Sequence, residues 1–333
     1  MARLPLSSLL SLVLALQSEA PAKPSPLDAV KTWLIQFQKL ESSGAVDALA
    51  ASSYDLLVVE PTGTYRSAAS FDMATMVATL RKGRKGRLVL AYLDLAEADS
   101  NRSYWQKSWT PPSATRPGTP DFLLKPDPDG WKDTYVVCYT DPRWKEILRA
   151  DLARILRAGF DGLYLDWVGA YEDDAVAARI KAGGRDPAQE MLGLLGEVRR
   201  DATQLRPGAL IVTQNAPYLL DVDPKVAALV DGVAFENTWY SGQAEADWDS
   251  DQGGDRPNRS GDPRRSTEAL LAQYQKWQAA GKPVFTLDYC LKPDHATEVY
   301  AAARKLLFRP LVSRSALDRL TGTPPPGLSP RSP

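Results

Sequence analysis

Two carboxylates, Asp166 and Glu236, each close a short apolar run, Leu163-Tyr164-Leu165-Asp166 and Val233-Ala234-Phe235-Glu236. An acid in that position is the last side chain a buried strand delivers, and it faces whatever lies beyond the strand end. Both runs open on Asp-Gly, at Asp161-Gly162 and Asp231-Gly232, a pairing suited to a tight turn. Two acids presented alike over one cavity can split a glycosidic bond. One protonates the leaving oxygen, and the other attacks the anomeric carbon or activates water. Further apolar runs end in Glu60, in Tyr92 and Asp94, in Gln214 and Asn215, and in Asp288 and Tyr289. Trp167 and Asn237 directly follow the two acids, and Trp239 lies just beyond. Glu60, Tyr92, Asp94, Trp167, Asn215, Asn237, Trp239, Asp288 and Tyr289 are therefore expected to contact substrate. For any single acid, a helix cap or a surface salt bridge is the alternative. That alternative weakens when all of them share one rim. Sugar rings pack their C–H faces on aromatic planes, and Trp33, Tyr65, Trp105, Trp167, Trp239 and Tyr240 are expected at the same rim, with core packing as the other reading.

Other chemistries lack their residues. His295 is the one histidine, so a Ser-His-Asp triad, a His-rich zinc site or a histidine base would each need it. It stands where a helix should begin, with Asp294 as a suitable N-cap. No metal and no cofactor are expected. Asp247, Asp249 and Asp251 resemble the start of a calcium loop, but Gln252 stands where glycine is needed and Asn258 where glutamate should close it. A solvated acidic loop is the simpler reading. The 40 basic and 41 acidic residues leave a net charge of −1 with no basic block, so nucleic acid is not expected as a partner. Cys138 and Cys290 are the two cysteines. They pair in an oxidising compartment, or they are two buried free thiols.

These residues need a scaffold that brings strand ends together. Short apolar runs alternate with helical patterns along the chain. Strands are expected at Thr32–Gln38, Tyr54–Glu60, Arg87–Leu93, Asp161–Trp167, Ala209–Asn215, Asp231–Asn237, Pro283–Tyr289 and Arg309–Ser313. Helices are expected at Phe71–Lys82, Pro142–Ala158, Pro187–Leu205, Asp223–Val230, Ser266–Ala280, Thr297–Leu307 and Ser315–Leu320. A long irregular segment spans Asp94–Asp141. Eight strand–helix alternations imply a parallel α/β sheet closed into a (β/α)8 TIM barrel. An open doubly wound sheet would carry a glycine-rich phosphate turn after its first strand, which is missing here. Residues 1–20 read as a secretory signal peptide, with Arg3 before the apolar stretch Leu4–Leu16 and small residues at Ser18 and Ala20. An uncleaved anchor is the alternative. Residues 21–31 read as a Pro-rich linker, 32–321 as the barrel, and the Pro-rich tail 322–333 as disordered. The mature protein is then secreted or extracytoplasmic, without a membrane span. Oligomeric state is not encoded in any pattern.

The same residues resemble a known family. Tyr54–Val59, Ala91-Tyr92-Leu93 through Ala96-Glu97-Ala98, Tyr104-Trp105, Tyr139–Trp144 and above all Gly159–Trp167 are similar to the glycoside hydrolase family 114 barrels, the endo-α-1,4-polygalactosaminidase-like group. The likeness runs from about Trp33 to Leu320. It departs at Glu60, where Asp is expected, and at Asp94-Leu95-Ala96, in place of a glycine-containing block. The resemblance implies Asp166 as nucleophile and Glu236 as acid/base in endo-acting, retaining hydrolysis of an α-1,4-linked, galactosamine-rich polysaccharide. A general acid should carry a raised pKa and a nucleophile should stay ionised. Glu236, flanked by Phe235 and oriented by Asn237, is expected to be the raised group, with Tyr92 as a partner for Asp166. A deacetylated amino sugar is cationic, and spare carboxylates at Glu60, Asp94 and Asp288 would attract it. A non-catalytic carbohydrate-binding barrel is the alternative. A metal-assisted deacetylase is disfavoured by the scarcity of histidine.

Overall fold

A computed structural model describes residues 25–62 and 72–328. Eight strands, Trp33–Gln36, Leu56–Val59, Leu88–Asp94, Gly162–Asp166, Leu210–Gln214, Gly232–Glu236, Val284–Tyr289 and Arg309–Ser313, lie side by side in chain order. Every neighbouring pair is parallel. Strands one, two, five and seven are buried at every position, as strands packed on both faces must be. The first and eighth strands meet through the Trp33 indole N–H, which donates to Arg309 O at 2.9 Å. The expected (β/α)8 barrel is what forms, nearly closed and wrapped by helices.

Asp cap residues followed by proline start the two long outer helices. Asp141 receives Arg143 N before Pro142–Arg157, and Asp186 receives Gln189 N before Pro187–Leu205. Helices Ala45–Ala51 and Asp174–Ala182 were not evident in the sequence pattern. The helix expected from Thr297 begins at Pro293, with Lys292 as its N-cap, so Asp294 lies inside the first turn. Ser315–Leu320 forms turns rather than a helix.

The Asp-Gly pairs do more than turn the chain. Asp161 Oδ2 accepts Val89 N at 2.9 Å and Asp231 Oδ2 accepts Ile211 N at 2.8 Å. Each acid thus pins the strand next door at the bottom of the barrel, and arginines hold each acid in turn. Gly162 is required by close approach, since a Cβ there would stand 2.0 Å from Leu210 O.

Two boundaries differ from expectation. Residues 25–31 belong to the domain rather than to a linker. Leu27 and Val30 are buried, Leu27 Cδ1 lies against Gly232, and Arg309 Nε donates to Val30 O at 2.7 Å. Apolar Leu27 and Val30 outweigh the surrounding prolines, because they plug the open floor of the barrel. At the other end, 322–328 are ordered against the helix Pro293–Lys305. Tyr300 Oη donates to Thr323 O at 2.5 Å and Pro325 is buried. The signal peptide, Tyr65 and residues 329–333 lie outside the described residues.

The long segment after strand three folds into its own sheet, which lies over one side of the barrel top. Glu97–Asp99, Thr134–Val137 and Leu123–Pro126 form three antiparallel strands with Thr134–Val137 in the middle. Aromatic rings anchor it. Trp105 packs on Trp109 and Tyr135, and Trp109 and Trp144 both meet Phe122. Its hairpin tip reaches another loop, where Lys132 N donates to Glu245 Oε1 at 2.9 Å. Among the described residues no helix is long and apolar enough to cross a membrane.

Because Leu27 is fully buried in the barrel floor, Leu27→Ala should lower unfolding free energy by about 3 kcal/mol, as buried Leu→Ala changes do. A denaturant midpoint equal to the wild type's would return residues 25–31 to the status of a linker.

Candidate active site

Strands four, five and six are each followed directly by a residue with left-handed backbone: Trp167 (φ 54°), Asn215 (φ 58°) and Asn237 (φ 58°). Asparagine tolerates this conformation, whereas tryptophan adopts it only under constraint. The reversal at each strand end turns the preceding side chain toward the mouth. Strand register fixes who stands beside whom. Asp94 and Asp166 are Cα partners, as are Tyr92 and Tyr164 below them, and Glu236 is partner to Leu287.

Glu236 is held by three donors. Asn215 Nδ2 reaches Oε1 at 2.7 Å, Gln214 Nε2 reaches Oε1 at 3.2 Å, and Tyr289 Oη reaches Oε2 at 2.7 Å. Asn215 Oδ1 also accepts Glu236 N at 3.1 Å, so one amide grips both ends of the residue. Oε1 faces amide N–H groups, which only donate. Oε2 faces a hydroxyl, which donates or accepts. Oε2 is therefore the oxygen able to carry an exchangeable proton.

Asp166 has a different shell. Oδ1 accepts Trp167 N at 2.7 Å and Oδ2 accepts Tyr92 Oη at 2.9 Å. Burial, then the charge of Glu236, push its carboxyl up to about 7, against the two hydrogen bonds. This departs from the ionised Asp166 expected of a nucleophile. The cause is like charge held out of water.

More acids crowd in from the sheet after strand three. Asp94 Oδ1 accepts Ala96 N at 3.1 Å and Glu97 N at 2.9 Å. Burial and then Asp166 raise Asp94 well above the carboxylate range. Burial and then Asp94 and Asp127 do the same to Glu97. Asp127 Oδ1 accepts Gly130 N and Trp131 N, shaping the hairpin tip. Asp129 stands at that tip. The protein crowding its carboxyl, then the charges of Asp127 and Glu236, push it up to about 6. No sequence pattern marks Asp127 or Asp129 as site residues, and Gln214 reads only as a strand end. The alternating pattern of Leu123–Pro126 and Thr134–Val137 is too short and too interrupted to announce a hairpin that brings two acids to the mouth.

Some expected contacts have other roles. Glu60 is 4% exposed, and both its oxygens are taken by Arg102, with Thr62 on Oε1 as well. It ties the excursion to strand two. Asp288 is fully buried. Its Oδ1 accepts Trp239 N at 2.7 Å and Tyr240 N at 2.9 Å, so it fixes the loop that carries Trp239. Burial pushes it up to about 7 against those two bonds. Trp33 is a core residue beneath Tyr164, and Trp105 belongs to the aromatic anchor of the excursion. Tyr240 stacks on His295, whose Nδ1 stands 2.8 Å from Asp255 Oδ1. Tyr289 and Asn215 act on Glu236. Trp167, Asn237 and Trp239 are half-buried at the rim. Cys138 and Cys290 are free and buried. Among the described residues no cluster of three or more histidine, cysteine or acidic side chains is arranged to hold a metal ion.

Comparison with known proteins agrees with this architecture. An uncharacterized protein of Deinococcus radiodurans is 34% identical over 305 residues, spanning 90% of this chain and 85% of the relative. The glycoside hydrolase domain of PelA from Pseudomonas aeruginosa superposes with a TM-score of 0.58 at 20% identity, covering 88% of this chain and 98% of that one. Aspergillus fumigatus Ega3, solved in complex with galactosamine, superposes with a TM-score of 0.57 at 14% identity, covering 92% and 98%. At these identities both structures speak for the fold. The profile of glycoside-hydrolase family GH114 matches residues 14–325, and the chain therefore belongs to that family of glycoside hydrolases.

Proposed function

We propose that this glycoside hydrolase is a secreted, endo-acting, retaining enzyme that cleaves an α-1,4-linked, galactosamine-rich polysaccharide. The observation that carries the substrate is a mouth crowded with carboxylates whose neighbouring cations are already spoken for. Asp94, Glu97 and Asp166 are raised by burial and by neighbouring acids, and Asp129 at the hairpin tip is raised as well, with Asp127 and Glu236 adding their charge. The nearby cations are paired elsewhere: Arg102 with Glu60, Lys125 with Asp173 and Arg265 with Glu172. A deacetylated amino sugar brings an ammonium group, and a cation in this mouth offsets repulsion that the protein leaves in place. The galactosamine bound in the Ega3 structure adds weight.

In this mechanism Asp166 attacks the anomeric carbon while Glu236 Oε2 gives its proton to the leaving oxygen. The bond to the leaving sugar breaks as the Asp166 ester forms. Glu236 then takes a proton from water, and the hydroxide attacks the same carbon and frees Asp166. Asn215, Gln214 and Tyr289 hold Glu236 through both steps.

On soluble galactosamine oligomers Asp166→Asn should lose at least about a thousandfold in kcat, because no glycosyl-enzyme forms. Glu236→Gln should keep activity on an aryl glycoside whose leaving group needs no proton, with azide restoring the second step. Azide rescue of Asp166→Asn, with retained configuration in the wild type, would reverse the roles. Full activity of both variants would remove the two acids from the chemistry.

The pH profile tests the cationic substrate. Asp166 attacks only when ionised, and its carboxyl titrates at about 7 in the empty mouth. The acid limb of kcat/KM, which reports the free enzyme, should therefore fall away below about 7. The acid limb of kcat reports the complex and should lie at lower pH for galactosamine oligomers, because the bound ammonium favours the ionised acid. N-acetylated oligomers should show no such displacement. Equal limbs for the two substrates would argue against recognition of the amine.

A further inference from the structure

The Tyr92 hydroxyl lies between two carboxylates. It is 2.9 Å from Asp166 Oδ2 and 3.4 Å from Asp94 Oδ2. A phenol has one hydrogen to give. The shorter contact claims it, so Tyr92 donates to Asp166. Asp94 Oδ2 then faces the lone pairs of the Tyr92 oxygen. Two acceptors cannot bond to each other, and that contact is a hydrogen bond only if Asp94 supplies the proton. The other Asp94 oxygen is already engaged by Ala96 N and Glu97 N. Register adds a second reason, because Asp94 and Asp166 are Cα partners on adjacent strands and charge on both would be opposed at short range.

The neighbouring pair repeats the pattern. Glu97 Oε1 and Asp127 Oδ2 are both buried and no donor in the protein reaches them. The charge of Asp127 raises Glu97 further, so this pair too sets acceptor against acceptor. Donors are therefore scarce on this side of the mouth.

We propose that Asp94 is a positioning residue that works in its protonated form, donating to Tyr92 so that Tyr92 donates to Asp166 and the negative charge stays on Asp166. This role rests on Asp166 being the nucleophile. The groups facing Asp94 are Tyr92 on its own strand, Asp166 on strand four, Glu97 on the short strand that follows, and Arg102 beyond it. Burial and the Asp166 charge favour the neutral acid. The two backbone N–H groups and Arg102 oppose them, and burial is the larger influence. A hydroxyl that is itself receiving a hydrogen bond donates more strongly, so the chain Asp94–Tyr92–Asp166 stabilises the charged nucleophile without adding a charge beside it. Asp94 thereby takes a different part from the substrate contact that its strand-end position suggested.

The proton can be located without any substrate. Infrared spectra of the resting protein at pH 8, above the titration of Asp166, separate the C=O stretch of a neutral carboxyl from the carboxylate bands. The wild type should show neutral-acid absorption. Asp94→Asn should remove one component, Glu97→Gln another, and Asp166→Asn neither. Tyr92→Phe should shift the Asp94 component, since its acceptor is gone, and provides a check if an Asp94 variant folds poorly. Absorption that survives Asp94→Asn but disappears in Asp166→Asn would overturn the assignment. Kinetics supply an independent sign. Asp94→Ala should lower kcat on galactosamine oligomers by about tenfold to a hundredfold, as misplaced catalytic groups do, and move the acid limb of kcat/KM to higher pH. Asp94→Asn, which keeps a neutral donor, should bring the limb back to the wild-type position. A limb that moves to lower pH in both variants would mean that they removed a charge, and Asp94 would be ionised. Should the wild type fail to cleave galactosamine oligomers, the proposed function fails there, while the infrared spectra still decide where the proton sits.

Discussion

A carboxylate at the end of a buried strand has lost much of its water, and a second one opposite it adds repulsion. Asp166 and Glu236 meet in this way at the barrel mouth, Asp94 stands beside Asp166 at the end of strand three, and Glu97, Asp127 and Asp129 close in from the sheet that follows. Such a group is tolerable in three ways. Donors satisfy the carboxyl oxygens, as three side chains do for Glu236. Protons are retained, as at Asp94 and Glu97. A cation arrives from outside, as the amino sugar proposed above would supply. The proton inventory and the proposed charge of the substrate thus follow from one crowding.

Crowding of this kind works only if the acids cannot swing away. The structure spends other polar groups on that task. Arg102 draws Glu60 and the excursion together, and Asp288 anchors the backbone of Trp239 and Tyr240. Asn215 reads both the backbone and the side chain of Glu236. Three consecutive strand ends adopt left-handed backbone to aim what precedes them. A charged residue near an active site can therefore serve by restraining a loop rather than by touching a ligand, and Glu60 and Asp288 are of that type.

The barrel was legible because parallel strands buried on both faces appear as continuous apolar runs, and their ends mark the mouth without further information. Asp166, Glu236 and their αL neighbours could be named on that ground. The roles of the other acids could not. Glu60 and Asp94 both terminate apolar runs, yet one is captured by Arg102 and the other faces Tyr92 and Asp166, and no local pattern shows a partner 42 residues away. The sheet after strand three escaped for a related reason. Its strands are short, proline and glycine separate them, and their pairing brings together residues from Glu97 to Val137. Leu27 and Val30 were obscured by surrounding prolines, although composition does not decide whether two apolar side chains find a floor to fill.

The raised acids also join catalysis to stability, and the sign of that link can be worked out. Asp166 titrates at about 7 in the folded protein, whereas an unfolded aspartate titrates near ~3.9. Between those values the folded chain binds a proton that the unfolded chain has released. Stability therefore falls as pH rises through that window, and the loss is complete above the folded value. Asp288, raised to about 7 by burial, adds to it in the same direction. The protein is thus strained at its mouth under the conditions in which Asp166 is ionised. A cation that binds there favours the ionised form, lowers the folded pKa and recovers part of the lost stability. A cation bound there relieves the fold and favours the ionised Asp166 together, since each is the removal of the same repulsion.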